Sequence, residues 1–524
     1  MHRLRQNHCK SHESPSKLLF LLSLLAVVLV LGTGWAATAA DPPKPGPEAL
    51  QKILGEFTEY AEQARRQWEV PGMAIAVVQD GKVVFAKGFG VKHAGGNDPV
   101  DEQTLFQIGS TSKAFTAALV AMLVDEKKVG WQDKVINHLP GFKMYDPWVT
   151  REFQVEDLMA QRSGLPGSAG DTQAVLGFPR EHLLRSLARF KPVTSFRSSY
   201  AYQNGLFLAA GALVEQKTGK TWEENLAERI FKPLGMSSSS ADLRSFQQAK
   251  NAAALHVKKK GQVTALPRDW PLHNWVYVYG PAGGINSNIA DMSKWLGLQL
   301  GKGKANGRQL LSEASLECLH APKTVMGAEQ GIMNFYCLGW ILSAKRPYPL
   351  IWHNGGTTGH KTMVAFVPQA GMGLVVLSNL ITPLPEALAF RFYDLYLGNP
   401  AAHDWSQEAL AKAKEMKEKA KLPAPPSPPA PALPWERYTG TYAHMVYGKV
   451  TVAAEPEGLA LTVGPGKVRL QLRHFDRDNF LGYWPDMGDG NEFKATFRIG
   501  GDGRAHTLVV GWDGETEFAR LDEN

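Results

Sequence analysis

The sequence predicts an α/β domain whose sheet is assembled from both ends of the domain and covered by helices, followed by a small all-β domain. Three observations carry this. β-type runs occur near residues 72–92 and again near 350–380, with helices and loops between them. Residues 422–434, LPAPPSPPAPALP, hold seven prolines in 13 positions. Beyond them, short alternating runs are punctuated by Gly- and Asp-rich turns, the pattern of an antiparallel barrel or sandwich. At 524 residues the chain exceeds one ordinary domain. Its net charge is +7, but residues 1–40 hold four basic side chains and one acidic, which leaves +4 for the remainder. No basic stripe with interleaved aromatics is present, so nucleic acid is not an expected partner.

Taken in order, Leu18 to Ala40 carries no charge, follows a basic segment and ends in WAATAA. That is the pattern of a secretory signal with a small-residue cleavage site. The stretch is also long enough to span a bilayer as an uncleaved anchor. The expectation is export, to the periplasm or outside the cell, with cleavage preferred over an anchor at 18–40. Cys9 lies upstream of the apolar stretch and is not a lipid-attachment cysteine. Cys318 and Cys337 either pair, as an oxidising compartment would allow, or are two free buried thiols. No Cys/His cluster has zinc-ligand spacing.

Residues 47–68 have helical periodicity. GMAIAVVQDGKVVFAKGFGVKH follows, two β-type runs around Asp80-Gly81, which is a hairpin signal. QIGSTSKAFTAALVAMLV, residues 107–124, is apolar on every side from Ala114 onward, which marks a buried helix. Residues 150–245 read as helices and loops. PLIWHNGG and KTMVAFVPQAGMGLVVLSNL return to strands. SQEALAKAKEMKEKAK, residues 406–421, reads as a charged, exposed helix. The proline-rich stretch reads as a semi-rigid spacer, roughly 40 Å long at ~3.1 Å per residue, with few contacts across it. No internal repeat is visible.

Lys113 conflicts with its place. A lysine is almost never fully buried unless paired, and a positive charge is disfavoured at a helix N-terminus. The spacing supplies a reason. Residues i and i+3 share one helical face, so Lys113 can lie beside the Ser110 hydroxyl. A serine needs a base to become a nucleophile, and burial lowers a lysine pKa toward that task. The Ser110 N–H, at the helix start, is free to donate to an oxyanion. About two Ser-x-x-Lys matches are expected by chance at this length, and Ser14 with Lys17 is another. Ser110 could also be an N-cap. The motif therefore needs context.

Tyr202-Gln203-Asn204 precedes another apolar helix. A tyrosine near Lys113 could share its proton and protonate a leaving group, and Asn204 could fix Lys113 or a substrate amide. Lys217-Thr218-Gly219 ends the apolar run LFLAAGALVEQ and reads as a helix stop, with Gly at C′ and Lys in the last turn. His93-Ala94-Gly95 precedes Ser110 and leaves a hairpin. His353-Asn354-Gly355 lies on a strand-like run with glycines at 355, 356 and 359, which allow close approach of a substrate.

Ser-x-x-Lys, then Tyr-x-Asn, then Lys-Thr-Gly or His-x-Gly is the motif order of penicillin-binding proteins, class C β-lactamases, and related serine esterases and D-amino-acid peptidases. The sequence resembles this family over roughly residues 48–395, also in VPGMAIAVVQDGKVVFAKGFG, LMAQRSGLPG and GPAGGINSNIADMSKWL. Gln161 stands where relatives often have His. The resemblance implies the penicillin-recognising β-lactamase-like fold, an antiparallel sheet with a helical region. The expected organisation is a signal or anchor at 1–40, a serine hydrolase domain at 41–405, a charged helix and linker at 406–434, and a β-barrel-like domain at 435–524.

The resemblance also implies a two-step acyl transfer. Ser110 attacks a carbonyl, and Lys113, Tyr202 or both take its proton. The N–H groups of Ser110 and Gly356 hold the oxyanion, with Asn204 and Gly355 beside the substrate. Tyr202, helped by Lys113 and His353, protonates the leaving group. No metal or organic cofactor is implied. The substrate is expected to be a small ester, amide or peptide, of esterase or D-peptidase type. The alternatives are a class C β-lactamase or cell-wall D-peptidase, an inactive binder of cell-wall peptides, and a membrane-anchored scaffold whose C-terminal domain does the work.

Overall fold

The computed structural model describes residues 44–524 apart from residues 346, 399–402, 420–423, 457, 513 and 522–524. The expected signal or anchor and Cys9 lie outside the described residues. Helix α1 (Pro47–Gln67) starts with proline in its first turn and buries Leu50, Leu54, Phe57, Ala61 and Ala64, one stripe at helical spacing. It leads into β1 (Gly72–Gln79) and β2 (Lys82–Gly90). Asp80 and Gly81 take positive φ, 50° and 75°, as the tight turn between paired strands requires.

The chain then leaves the sheet. Helix α2 (Ser112–Asp125) has every residue buried up to Leu123, and α3 (Gly205–Thr218) packs against it. Helix α4 (Ile289–Leu300) follows, and its Trp295 stacks on Phe115 of α2 with centroids 3.9 Å apart. The chain returns to the sheet as β3 (Thr324–Glu329), β4 (Ile332–Tyr336), β5 (Ile341–Ser343), β6 (Leu350–Gly356), β7 (Lys361–Val367) and β8 (Met372–Ser378). The sheet runs β2-β1-β8-β7-β6-β5-β4-β3 and is antiparallel throughout. The N-terminal hairpin thus closes on the last strand of the domain, as the two β-rich ends of the sequence predict.

Strand alternation divides the interior in two. Met73, Ile75 and Val77 of β1 face a core with α1 and α5 (Leu384–Tyr396). Ala74, Ala76 and Val78 face the core that holds α2, α3 and α4. Both faces of the sheet are buried, which is why β1 reads as a continuous apolar run.

Helix α6 (Trp405–Lys419) corrects one expectation. It is charged, but Ala409, Leu410 and Ala413 pack on the α1–α5 core, and the Trp68 indole donates to the buried Ser406 hydroxyl at 2.9 Å. Cys318 and Cys337 are free thiols. No helix among the described residues is long and apolar enough to cross a membrane.

The C-terminal part is a closed eight-stranded barrel, β9 to β16, spanning Gly440 to Arg520. The proline-rich stretch does not stand free of it. Ala430 N–H donates to Asp476 at 2.8 Å, Arg477 N–H to the Ala430 carbonyl at 2.9 Å, and Leu433 N–H to the Tyr438 hydroxyl at 2.8 Å. The barrel also docks on the sheet-and-helix body. Gly466 N–H donates to the Leu176 carbonyl at 3.0 Å, Asp489 accepts from the N–H groups of Lys260 and Gly261, and Lys259 pairs with Asp486 at 2.7 Å. These contacts run between segments far apart in sequence, largely through backbone, so no composition signal announces them.

Candidate active site

Ser110 sits in a short 3₁₀ turn, Gly109–Thr111, and not in the α-helix itself, which begins at Ser112. Gly109 has φ +53°, and a Cβ there would lie 2.6 Å from the Gly356 nitrogen. Only glycine fits that turn against β6. The turn is held from both sides. Ile108 N–H donates to the Ile285 carbonyl at 2.9 Å, and the Ile108 carbonyl accepts from Thr362 Oγ1 at 2.8 Å. Residues i and i+3 nearly eclipse in a 3₁₀ turn, and Lys113 Nζ lies 3.1 Å from Ser110 Oγ.

Lys113 is fully buried. Its Nζ also meets Asn204 Oδ1 at 2.6 Å and the Ala282 carbonyl at 2.9 Å. Desolvation lowers its pKa from 10.5 to about 7, with the charge of Asp171 pulling the other way. A neutral amine has two N–H bonds and one lone pair. Two carbonyl-type acceptors take the N–H bonds, so the lone pair is left facing Ser110 Oγ. Asn204 can offer only its oxygen here, because its Nδ2 donates to Asp171 at 2.8 Å.

Tyr202 makes a side-chain hydrogen bond with Ser110, and burial pushes its phenol far above the ordinary 10.0. The Lys113 Nζ lies 4.7 Å from the centre of its ring. The segment is clamped by Gln161, whose Oε1 accepts from Gln203 N–H at 2.6 Å and whose Nε2 donates to the Gln203 carbonyl at 3.2 Å. Gln161 thus holds backbone next to the site.

His353 is buried, and burial, with the charges of Lys113 and Lys361 adding to it, lowers its pKa to about 3. Its Nδ1 lies 2.5 Å from the Asn354 carbonyl and its Nε2 3.1 Å from the Tyr336 hydroxyl. With Nδ1–H donating to that carbonyl, Nε2 accepts from Tyr336. Both nitrogens are then engaged, and the neutral ring has no N–H for a leaving group. This geometry differs from the proton-transfer role expected of His353. Gly355 and Gly356 also divide. A Cβ on Gly355 would lie 1.9 Å from the Ile108 carbonyl, so Gly355 permits the strand's approach to the serine turn. Gly356 is exposed, beside Gly109, where its N–H is available to an oxyanion.

The geometry brings Ser110, Lys113, Tyr202, Asn204, His353 and Gly356 to one place. Lys217 is not there: it ends α3, and Gly219 is left-handed at φ 71°, a C-terminal stop as expected. Sequence reasoning missed Asp171, Ala282 and Tyr336. Asp171 opens a five-residue helix, Ala282 acts through a carbonyl, and Tyr336 reads as strand packing. None carries a local signal. Among the described residues no group of three or more His, Cys, Asp or Glu side chains could hold a metal ion.

The Beta-lactamase family model matches residues 57–397, and that of a domain of unknown function, DUF3471, matches residues 424–523. The unguisins hydrolase ungD' of Aspergillus campestris is 29% identical over 87% of this chain and 89% of its own. Penicillin-binding protein 4 of Amycolatopsis lactamdurans is 28% identical over 62% of this chain and 84% of its own. Among solved structures, the octameric penicillin-binding protein homologue from Pyrococcus abyssi superposes with a TM-score of 0.59 at 21% identity, covering 89% of this chain and 99% of that one. At that identity the likeness is one of fold.

Proposed function

Since the chain belongs to the beta-lactamase family and is a serine hydrolase by that membership, we propose that it opens esters or amides through an acyl-enzyme on Ser110, as an esterase or D-peptidase and not as a true β-lactamase. The observation that carries this is the pairing of Lys113: two carbonyl acceptors leave its lone pair for Ser110. Lys113 takes the hydroxyl proton as Ser110 attacks the carbonyl carbon. The Ser110 and Gly356 N–H groups hold the oxyanion. Tyr202, kept protonated by its raised pKa, gives its proton to the departing group and recovers one from the Lys113 ammonium. Water then hydrolyses the acyl-enzyme by the same relay in reverse.

The preference for esters over β-lactams follows from charge. The third motif supplies a neutral imidazole where a lysine would supply a cation. Lys361, paired in register with Gly356, is held by Glu386 at 2.6 Å. Charge-assisted hydrogen bonds are roughly twice as strong as neutral ones, so a carboxylate-bearing β-lactam is held less well here than at a site where a lysine stands. The hydrolase name of the Aspergillus relative is consistent with a non-lactam substrate.

Two measurements test this. A fluorophosphonate should label Ser110 covalently; an unlabelled, folded protein would point to a binder without turnover. Hydrolysis of p-nitrophenyl butyrate should exceed that of a chromogenic cephalosporin in kcat/KM, and comparable values would make β-lactamase the better name. We also propose export on the strength of the apolar segment at 18–40. N-terminal sequencing of secreted protein should then begin near Asp41, and an intact N-terminus on membranes would favour the anchor.

A further inference from the structure

A cleft of about 1500 Å³ lies between the barrel and the catalytic body. One wall is formed by residues within 174–181 and 270–278, the other by barrel residues within 466–471 and 483–486. Ser110, Lys113 and Tyr202 do not line it. Ligand pockets for drug-sized molecules measure about 300–1,000 Å³, so this space exceeds what a butyryl ester or a β-lactam needs.

The cleft is a built feature. Its two walls meet at glycines. A Cβ on Gly177, which has φ +85°, would lie 2.7 Å from the Gly466 nitrogen, and one on Gly464 would lie 2.4 Å from the Leu176 carbonyl. At these glycines backbone meets backbone, so the approach there is fixed without a side-chain spacer.

Two structural elements also tie the cleft to the serine site. Helix Asp171–Val175 carries Asp171, which orients Asn204 at its start, and Ala174 and Val175, which line the cleft at its end. On the same wall the Trp275 indole donates to Thr358 Oγ1 at 2.9 Å, and Thr358 follows the oxyanion glycine Gly356 by two residues.

The lining indicates what fits. Trp275, Tyr483 and Trp484, each part-exposed, offer apolar aromatic faces. Gln216 and Gln471, both exposed, offer amide donors and acceptors that match a peptide backbone. Glu181 and Asp486 are balanced by Lys467 and Arg469, which suits neither a polyanion nor a polycation. A chain of amides with apolar side chains meets all three features, and it carries the bond class the serine site opens.

We infer that this cleft binds the part of an apolar, aromatic-bearing peptide substrate that extends away from the scissile bond. The inference rests on Ser110 being the nucleophile, and the test separates the two. The full chain carrying Ser110→Ala is titrated against a fluorescein-labelled hexapeptide amide of alternating phenylalanine and glycine, with anisotropy as the readout. Gln471→Trp and Gln216→Trp then fill the cleft from opposite walls at exposed positions, with circular dichroism checking each fold. Saturable binding is expected, and each block should raise the Kd at least tenfold. Absence of saturable binding, or a Kd within twofold in both blocked proteins, would overturn the inference. So would labelled chitotetraose binding more tightly than the peptide and losing that binding to the same blocks, which would make the cleft a glycan site. Turnover of p-nitrophenyl butyrate by the wild type reads Ser110 alone. Its absence would remove the catalytic reading and leave the anisotropy result to be judged on its own.

Discussion

Lys113 and Lys217 stand at opposite ends of two apolar helices that pack together, each three residues or fewer from a residue that motif matching could pair with it. Lys113 opens α2, fully buried, against the helix dipole, with three close oxygen contacts. Lys217 closes α3, part-exposed, in the last turn before a left-handed glycine and on the side the dipole favours. One position is costly for stability and suited to proton transfer. The other is favourable for stability and lies at the far end of its helix from Asn204. The same residue type in a family-like motif thus acquires its meaning from which helix end it occupies and from what surrounds it.

The contrast can be broken most directly at the serine turn. Ser110→Ala and Lys113→Ala should each lower kcat on p-nitrophenyl butyrate by at least ~10³-fold with the fold intact, as for residues that act as a unit. Near-normal turnover by Lys113→Ala would erase the distinction between the two lysines.

Asp171→Asn comes next in size. It loosens the Asn204 amide, and small displacements near reacting atoms cost up to about 100-fold. It also removes the charge that raises the Lys113 pKa. Wild-type kcat/KM should rise with pH through about 7, as Lys113 loses its proton. The rising limb of Asp171→Asn should lie lower. A limb that stays in place or moves upward would detach Lys113 from the pH profile.

The cost of burying Lys113 is measurable as stability. Between pH 7 and 10.5 the native amine is neutral while the unfolded one is charged. Unfolding there takes up a proton, so the Lys113 contribution grows more favourable by about 1.4 kcal/mol per pH unit. Below pH 7 both states are protonated and the full cost is present. Lys113→Met should therefore gain most over wild type in urea unfolding at pH 6, and the gain should shrink by pH 9. An equal gain at both pH values would mean that the native pKa is not depressed.

The smallest effect is expected at the other lysine. Lys217→Ala should leave turnover within about twofold and change stability by about 0.3–1 kcal/mol, the scale of a helix-end charge. Collapse of turnover in folded Lys217→Ala protein would exchange the roles assigned to the two motifs.

What could be read from the sequence follows the range of the interactions. The hairpin at Asp80-Gly81, the buried helix α2 and the Ser110–Lys113 pairing are all settled within a few residues, by turn chemistry or by helical spacing. The sheet assembled from both ends was legible because its strands declare themselves at each end. Asp171, Ala282 and Tyr336 were not, because each acts on a partner brought near only by tertiary packing: Asp171 on Asn204, Ala282 on Lys113, Tyr336 on His353. The docking of the barrel was hidden for a related reason. Proline content predicts a separator, but the separator is bound by backbone hydrogen bonds, and part of the joint is made at glycines that have no side chain to signal it.

The closure of the first hairpin on the last strand also has a consequence in time. Met73 pairs with Ser378, so β1 leaves the ribosome about 300 residues before the strand that completes it. At ~5–20 residues per second, β1 waits some 15–60 seconds. Throughout that interval β2 pairs one edge of β1, Met73 to Val78, and the edge that β8 completes stays unpaired. That edge can be completed only once the far end of the domain arrives. Truncations ending before residue 372 should accumulate as aggregates, while chains that extend past Ser378 should not.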